Sequence, residues 1–220
     1  RLFFVFSLIF LLTGCSVFGG NKDVKKLVAD GLTPKELYEQ AEDKVDAGSI
    51  EQAIDQYEMI LSSYPGSKYA IQARLDIAFN LLKQKKYNRS ITTLNEFIDK
   101  YPDIPASPYA YYLRGVAAEK KSSSILDKII TDSAQRDVES VRDAYGYFVE
   151  LIETFPNSKY SEDAKTKLTV LRNILARHEF YVALYYTDIS SNIAADELAK
   201  DARIVLESSY PSYSPNYTIK

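Results

Sequence analysis

The chain has 220 residues, 46% of them apolar, which is enough for a packed core in one elongated domain or two small ones. Its 27 basic and 30 acidic side chains give a formal net charge of −3, and removal of a leader containing Arg1 and no acid lowers this by one, so the body lacks the clustered cationic surplus that nucleic acid requires. One Cys and one His exclude an internal disulfide and structural zinc and leave little for catalysis, so no enzyme activity, metal or cofactor is expected.

Arg1 precedes an apolar run over residues 2–12, interrupted only by Ser7 and followed by Thr13, Gly14 and Cys15. Crossing a hydrocarbon core takes about 20 apolar residues, roughly twice this run, so it reads as the apolar part of a secretory signal. The chain does not start with Met, which points to an incomplete charged region before that run. Leu12-Thr13-Gly14-Cys15 resembles a bacterial lipobox, in which small residues let the strand enter the peptidase and the thiol becomes a diacylglyceryl thioether. A chance cysteine and a short uncleaved anchor are the competing readings. Residues 1–14 are therefore predicted to be a signal peptide, Cys15 the lipid attachment, and residues 15–32 a tether containing Gly19-Gly20-Asn21. An added amide-linked acyl chain would complete the two hydrophobic signals that stable anchoring needs. Ser16 stands where an Asp would, in the enterobacterial sorting rule, hold the protein at the inner membrane, so the predicted location is the periplasmic face of the outer membrane.

The next signal is internal repetition. Tyr64-Pro65-Gly66-Ser67-Lys68-Tyr69 recurs as Phe155-Pro156-Asn157-Ser158-Lys159-Tyr160, with looser copies at Tyr101-Pro102 and Tyr210-Pro211. Thr33-Pro34 followed by Glu36 is a helix start, with a capping side chain, Pro in the first turn and an acid at the positive end of the dipole. With each proline as the last marked position of a 34-residue tetratricopeptide unit, Pro65 places Leu37, Ala41, Ala53, Tyr57 and Ile60 at the hydrophobic positions and Gly48 in the turn. Pro102 gives Ile77, Ala78, Leu81, Leu94 and Phe97, with Ser90 where a small Ala is expected. Pro156 gives Ala144, Phe148 and Leu151, but its first helix, residues 109–119, lies too far upstream without an insertion. Small residues let paired helices approach, rings fill the gap to the next pair, and Pro ends the second helix.

Residues 120–137, opening with Lys120-Lys121-Ser122-Ser123-Ser124, are read as that loop insertion, functional or disordered. Residues 161–187 read as one unusually long helix or two end to end, residues 196–209 as the following helix, and residues 212–220 as a loose tail. The predicted fold is all-α: a tetratricopeptide-like α-solenoid over residues 33–211, of about four to five helix pairs, with units at 34–65, 71–102, 108–156 and 161–211 and an incomplete last repeat.

Together these features resemble the BamD (ComL/YfiO) family of outer-membrane assembly lipoproteins. The resemblance is carried by the lipobox, the repeat phasing and ordered strings: Tyr111-Tyr112-Leu113-Arg114-Gly115, Arg136-Asp137, residues 155–160 with Asp163-Ala164, and Leu175-Ala176 with Glu179, Val182-Ala183 and Tyr185-Tyr186. It implies a scaffold of five helix pairs in the complex that folds and inserts β-barrels into the outer membrane. Its amino-terminal units are implied to receive targeting segments of unfolded outer membrane proteins and the accessory lipoprotein BamC, and its carboxy-terminal units to hold the barrel subunit BamA. Only nine residues follow Tyr210-Pro211, where the family continues with another pair, so either the chain is truncated or a partner covers the last unit.

The first helix of each tetratricopeptide pair lines the concave face. The phasing sends Tyr38, Glu42, Leu75, Phe79, Tyr109 and Tyr112 into that groove, with Arg114 near its wall. A β-barrel targeting segment ends in an aromatic residue with a free carboxylate, which calls for a ring-lined pocket with a cation at one edge. The competing reading is that these rings only pack between pairs and that Arg114 and Arg136 are solvated or pair locally. His178-Glu179 is adjacent and expected to splay apart, about four helical turns from Glu162 and Asp163, which argues against acid-base or metal chemistry. A lipoprotein adaptor for cell-wall hydrolases or division proteins is the alternative function, and a hydrolase with paired carboxylates the remote one.

Overall fold

The computed structural model describes residues 31–126 and 138–189, with Lys200 and Ile204 beyond them. Among the described residues there are seven elements, all helical: α1 (Pro34–Asp46), α2 (Ile50–Ser63), α3 (Lys68–Lys83), α4 (Tyr87–Lys100), α5 (Ser107–Leu126), α6 (Val138–Thr154) and α7 (Ser161–Ile189). No helix among them is long and apolar enough to cross a membrane. The leader, Cys15, the tether up to residue 30, residues 127–137 including Arg136, the helix expected over 196–209 apart from helical Lys200 and Ile204, and the tail lie outside the described residues.

Each helix packs on the next, and α1 also touches α3 while α3 touches α5. The second helices make no comparable contact with one another among the described residues. First helices drawn side by side with second helices splayed behind them give a curved α-solenoid whose inner face is α1, α3 and α5.

Local sequence explains the boundaries. Thr33 caps α1 through a closed capping box, its backbone N–H donating to Glu36 Oε2 at 2.8 Å while its hydroxyl accepts from the Glu36 N–H at 3.3 Å. The Tyr-Pro and Phe-Pro linkers share a second device: buried Ser107 donates to the carbonyl of Tyr101 at 2.7 Å, and Ser161 to that of Phe155 at 2.6 Å. Both bonds span six residues and clamp the turn before a first helix.

The marked repeat positions form the core. Leu37, Ala41, Ala53, Tyr57 and Ile60 are buried in an amino-terminal cluster, while Ala78, Leu94, Phe97, Ala144, Phe148 and Leu151 belong to a longer one reaching α7. Helix α3 serves both, with Ala73, Ile77 and Leu81 toward the first and Leu75 and Leu82 toward the second. Ser90, at the repeat position of Ala, is fully buried and donates to the Ala78 carbonyl at 2.8 Å.

One boundary differs from expectation. Helix α5 does not stop before Lys120 but continues to Leu126. The serines that resemble a loop onset bond backward along the helix, Ser122 and Ser123 both donating to the Glu119 carbonyl, at 2.7 and 2.9 Å. Residues 161–189 form one continuous helix rather than two.

Candidate functional site

The inner face carries two adjoining open cavities, and Phe79 lines both. The cavity between α3 and α5, about 460 Å³, has an aromatic and aliphatic wall of Phe79, Leu82, Tyr87, Tyr109, Tyr112, Leu113 and Val116. Lys83, Lys85 and Lys120 complete its lining. None of the three ammonium groups is ion-paired with a described residue, and Lys83 Nζ sits 5.4 Å from the centre of the Phe79 ring. Phe79, 38% exposed, is among the large apolar side chains that the described surface leaves open.

Helical spacing builds this wall. Tyr112, Val116 and Lys120 follow each other at four-residue intervals on one side of α5, and Phe79 and Lys83 do so on α3. Tyr112 is held in place from behind, its ring stacked on Tyr160 at 5.0 Å and its hydroxyl donating to Asp163 at 2.7 Å. Burial first, and then that bond to Asp163, push the Tyr112 hydroxyl well above the ordinary phenol range, so it stays protonated as a donor. Tyr109 packs on the same Tyr160 at 5.6 Å.

The second cavity, between α1 and α3 and about 450 Å³, is lined by Glu39, Glu42, Asp43, Val45, Asp46, Tyr57, Asp76, Phe79 and Asn80. Tyr38 is not in that lining but borders it, its hydroxyl donating to Asp76 at 2.5 Å and its ring leaning on Tyr57 and Tyr69. Desolvation raises the Asp76 carboxyl above its usual range despite the Tyr38 and Gln72 bonds that pull it down. Desolvation and then the neighbouring charges of Asp76 and Asp46 raise Glu42 as well.

A model of the family described as YfiO, outer membrane lipoprotein, matches residues 30–214. The chain belongs to this family. It is 32% identical over 208 residues to the outer membrane protein assembly factor BamD of Xylella fastidiosa strain 9a5c, covering 94% of this chain and 68% of that protein. The factor of the same name from Neisseria gonorrhoeae is 32% identical over 195 residues, covering 88% of this chain and 73% of that one. The chain therefore spans about two thirds to three quarters of these relatives' length. Among solved structures, the MamA RS-1 ArsTM double mutant aligns over 88% of both chains with a TM-score of 0.42 and 17% identity. Membership places the chain among outer membrane lipoproteins.

Of the residues expected in the groove, this YfiO-family chain brings Phe79, Tyr109 and Tyr112 to one cavity and Glu42 and Tyr38 to the other or its border. Two expectations need correction. Leu75 is 2% exposed and packs into the longer core with Ala78 and Leu82 rather than lining either cavity. Arg114 points away from the groove, toward the second helices: it donates to Asn95 Oδ1 at 3.0 Å, pairs with Glu150 and lies between the rings of Tyr111 and Tyr147, at 5.1 and 4.3 Å. With Arg114 only 6% exposed, its guanidinium is stable there because its charge is paired and its faces are stacked.

The cations at the groove are instead Lys83, Lys85 and Lys120. Repeat phasing does not select them, but their four-residue spacing from Phe79 and Val116 was a readable sign for two of the three. Lys85 comes from the turn between α3 and α4, where spacing along a helix says nothing. His178 and Glu179 also differ from expectation, since Nδ1 lies 3.8 Å from the Glu179 carboxylate, which is itself bonded to Arg142 at 2.9 Å.

Proposed function

We propose that the α3–α5 cavity receives extended segments of unfolded outer membrane proteins, and that the protein is a non-catalytic scaffold in outer membrane protein assembly. The observation that carries this reading is a ring-lined, open cavity whose cations have no ion-pair partner among the described residues. Phe79, Tyr109 and Tyr112 supply apolar faces for a terminal aromatic side chain, while Lys83, Lys85 and Lys120 supply charge for its carboxylate. Family membership and the names of the relatives support the assembly role. In this reading Cys15 carries the lipid that holds the chain at the periplasmic face of the outer membrane. A BamA-like barrel subunit and accessory lipoproteins of the assembly complex are its partners.

The test is equilibrium binding of a labelled peptide ending in Phe with a free carboxylate, against its carboxamide twin. Binding that weakens on amidation, and again in Phe79→Ala/Tyr112→Ala with an unchanged melting curve, supports the reading. Equal affinity for both peptides and for both proteins overturns it.

A further inference from the structure

The α1–α3 cavity has the opposite character from its neighbour. Its charged lining is wholly acidic, with Glu39, Glu42, Asp43, Asp46 and Asp76, of which Glu39 is bonded to Lys35 at 3.3 Å and Asp76 to Tyr38 and Gln72. Glu42, Asp43 and Asp46 form no ion pair with a described residue.

A second observation is independent of the carboxylates. Asn80 also lines this cavity and is only 3% exposed, yet its Oδ1 has no hydrogen-bond partner. Its Nδ2 donates to the Asp76 carbonyl at 2.9 Å, which fixes the amide and keeps the oxygen turned away from that bond. A buried acceptor left without a donor is costly, and such atoms in folded proteins call for a missing partner.

A metal ion does not fit, because no group of three His, Cys, Asp or Glu among the described residues converges closely enough to hold one. Carboxylates spread around an open cavity beside an aromatic ring suit a larger, planar, weakly hydrated cation with several donors, which is the chemistry of a guanidinium. Phe79 is shared by both cavities, so one extended chain crossing that ring meets lysines on one side and carboxylates on the other.

We propose that the α1–α3 cavity binds an arginine side chain of the same polypeptide segment whose carboxylate end occupies the α3–α5 cavity, with Glu42, Asp46 and Asn80 Oδ1 as acceptors. This rests on the reading of the groove as a substrate site. It adds a specificity element: segments with a basic residue upstream of the terminal aromatic bind better than neutral ones.

The test uses the full mature chain and peptides ending in Phe carboxylate, with arginine at successive upstream positions, each paired with a twin carrying the neutral isostere citrulline. At the matching spacing the arginine peptide is expected to bind about tenfold more tightly than its twin, as charge-assisted hydrogen bonds imply. Glu42→Gln/Asp46→Asn, both at exposed positions, is expected to erase the difference in affinity between the arginine peptide and its citrulline twin. Equal binding of the twins at every spacing, or an advantage that survives the double variant, overturns the inference while the groove reading stands. Absence of binding by either twin overturns both.

Discussion

A Cβ added at Gly115 would lie 2.6 Å from Phe148 Cε1 and 2.7 Å from Cδ1, so the fully buried ring of α6 presses directly on the backbone of α5. Phe148 is the repeat-marked ring of its unit, and glycine is what lets it seat. Gly115→Ala gains about 1 kcal/mol of helix propensity but overpacks the contact at about 1–3 kcal/mol. Because three ring atoms of a side chain that cannot retreat fall within 2.9 Å, the clash wins, and a net loss of stability is expected. Phe148→Leu in the Gly115→Ala background should lose less than the sum of the single changes by about 0.5 kcal/mol or more, since the two share one contact. Denaturant titration of the four proteins decides; simple additivity would show that the ring and the glycine are uncoupled.

Arg114 is a structural cation. Removing it leaves Glu150 and Asn95 without their donor and empties the slot between Tyr111 and Tyr147, so Arg114→Ala is expected to cost about 2–4 kcal/mol. Arg114→Lys keeps the charge but loses the planar stack and one of the two bonds, so it should recover only part of that loss. Neither change should alter the affinity of the remaining folded protein for an aromatic carboxylate peptide. A selective loss of binding in Arg114→Lys at intact stability would return this residue to the groove.

The contrast between Arg114 and Lys83 shows what was legible in the sequence. Helix pairs could be read because Ala41, Ala53, Tyr57, Ala78 and Phe97 carry a packing constraint at fixed offsets from a proline, and that constraint is local. The face on which a charged residue sits depends on small rotations of each helix. Leu75 and Phe79 are one turn apart, yet one is core and the other open. The helical extension to Leu126 was hidden for a different reason: a run of serines favours turns unless, as here, their hydroxyls bond back to Glu119.

The acidic cavity makes stability depend on pH in a stated direction. Asp76 and Glu42 both hold their protons more tightly than an ordinary carboxyl, chiefly through desolvation. Their contribution to stability is therefore present at low pH and is lost as pH rises from the usual carboxylate range through the raised folded values. Glu36 and Glu51 are shifted down and slope the other way, so the comparison must be between variants rather than across the whole curve. Glu42→Gln should melt higher than the parent at neutral pH, with the gap closing near pH 4. A gap that stays constant with pH would mean the carboxylate is not the cause.

Cys15 is expected to anchor the chain. Cys15→Ala should shift the protein from the membrane pellet to the soluble periplasmic fraction, because the remaining apolar segment is removed or too short to hold it. Retention of the variant at the outer membrane in cells lacking the assembly partners would rule out the lipid as the tether.

Lys85 links the turn to the groove. It has φ of +61°, in the left-handed region, and occupies the place that Gly48, at +76°, takes in the preceding pair. The hydrogen bonds match: Gly48 and Ser49 donate to Val45 and Lys44, and Lys85 and Lys86 donate to Leu82 and Leu81, all between 2.8 and 3.0 Å. A side chain at this conformation costs about 1 kcal/mol relative to glycine, so Lys85→Gly should raise stability by about that amount. The same change removes one of three cations from the α3–α5 cavity and should weaken an aromatic carboxylate peptide several-fold, with the effect shrinking in high salt. Lys85→Asn separates the two roles, since Asn tolerates the left-handed conformation but carries no charge. It should bind as weakly as the glycine variant. If Lys85→Gly is more stable yet binds the peptide as well as the parent, the lysine is an accident of the turn and the cationic rim is made by Lys83 and Lys120 alone.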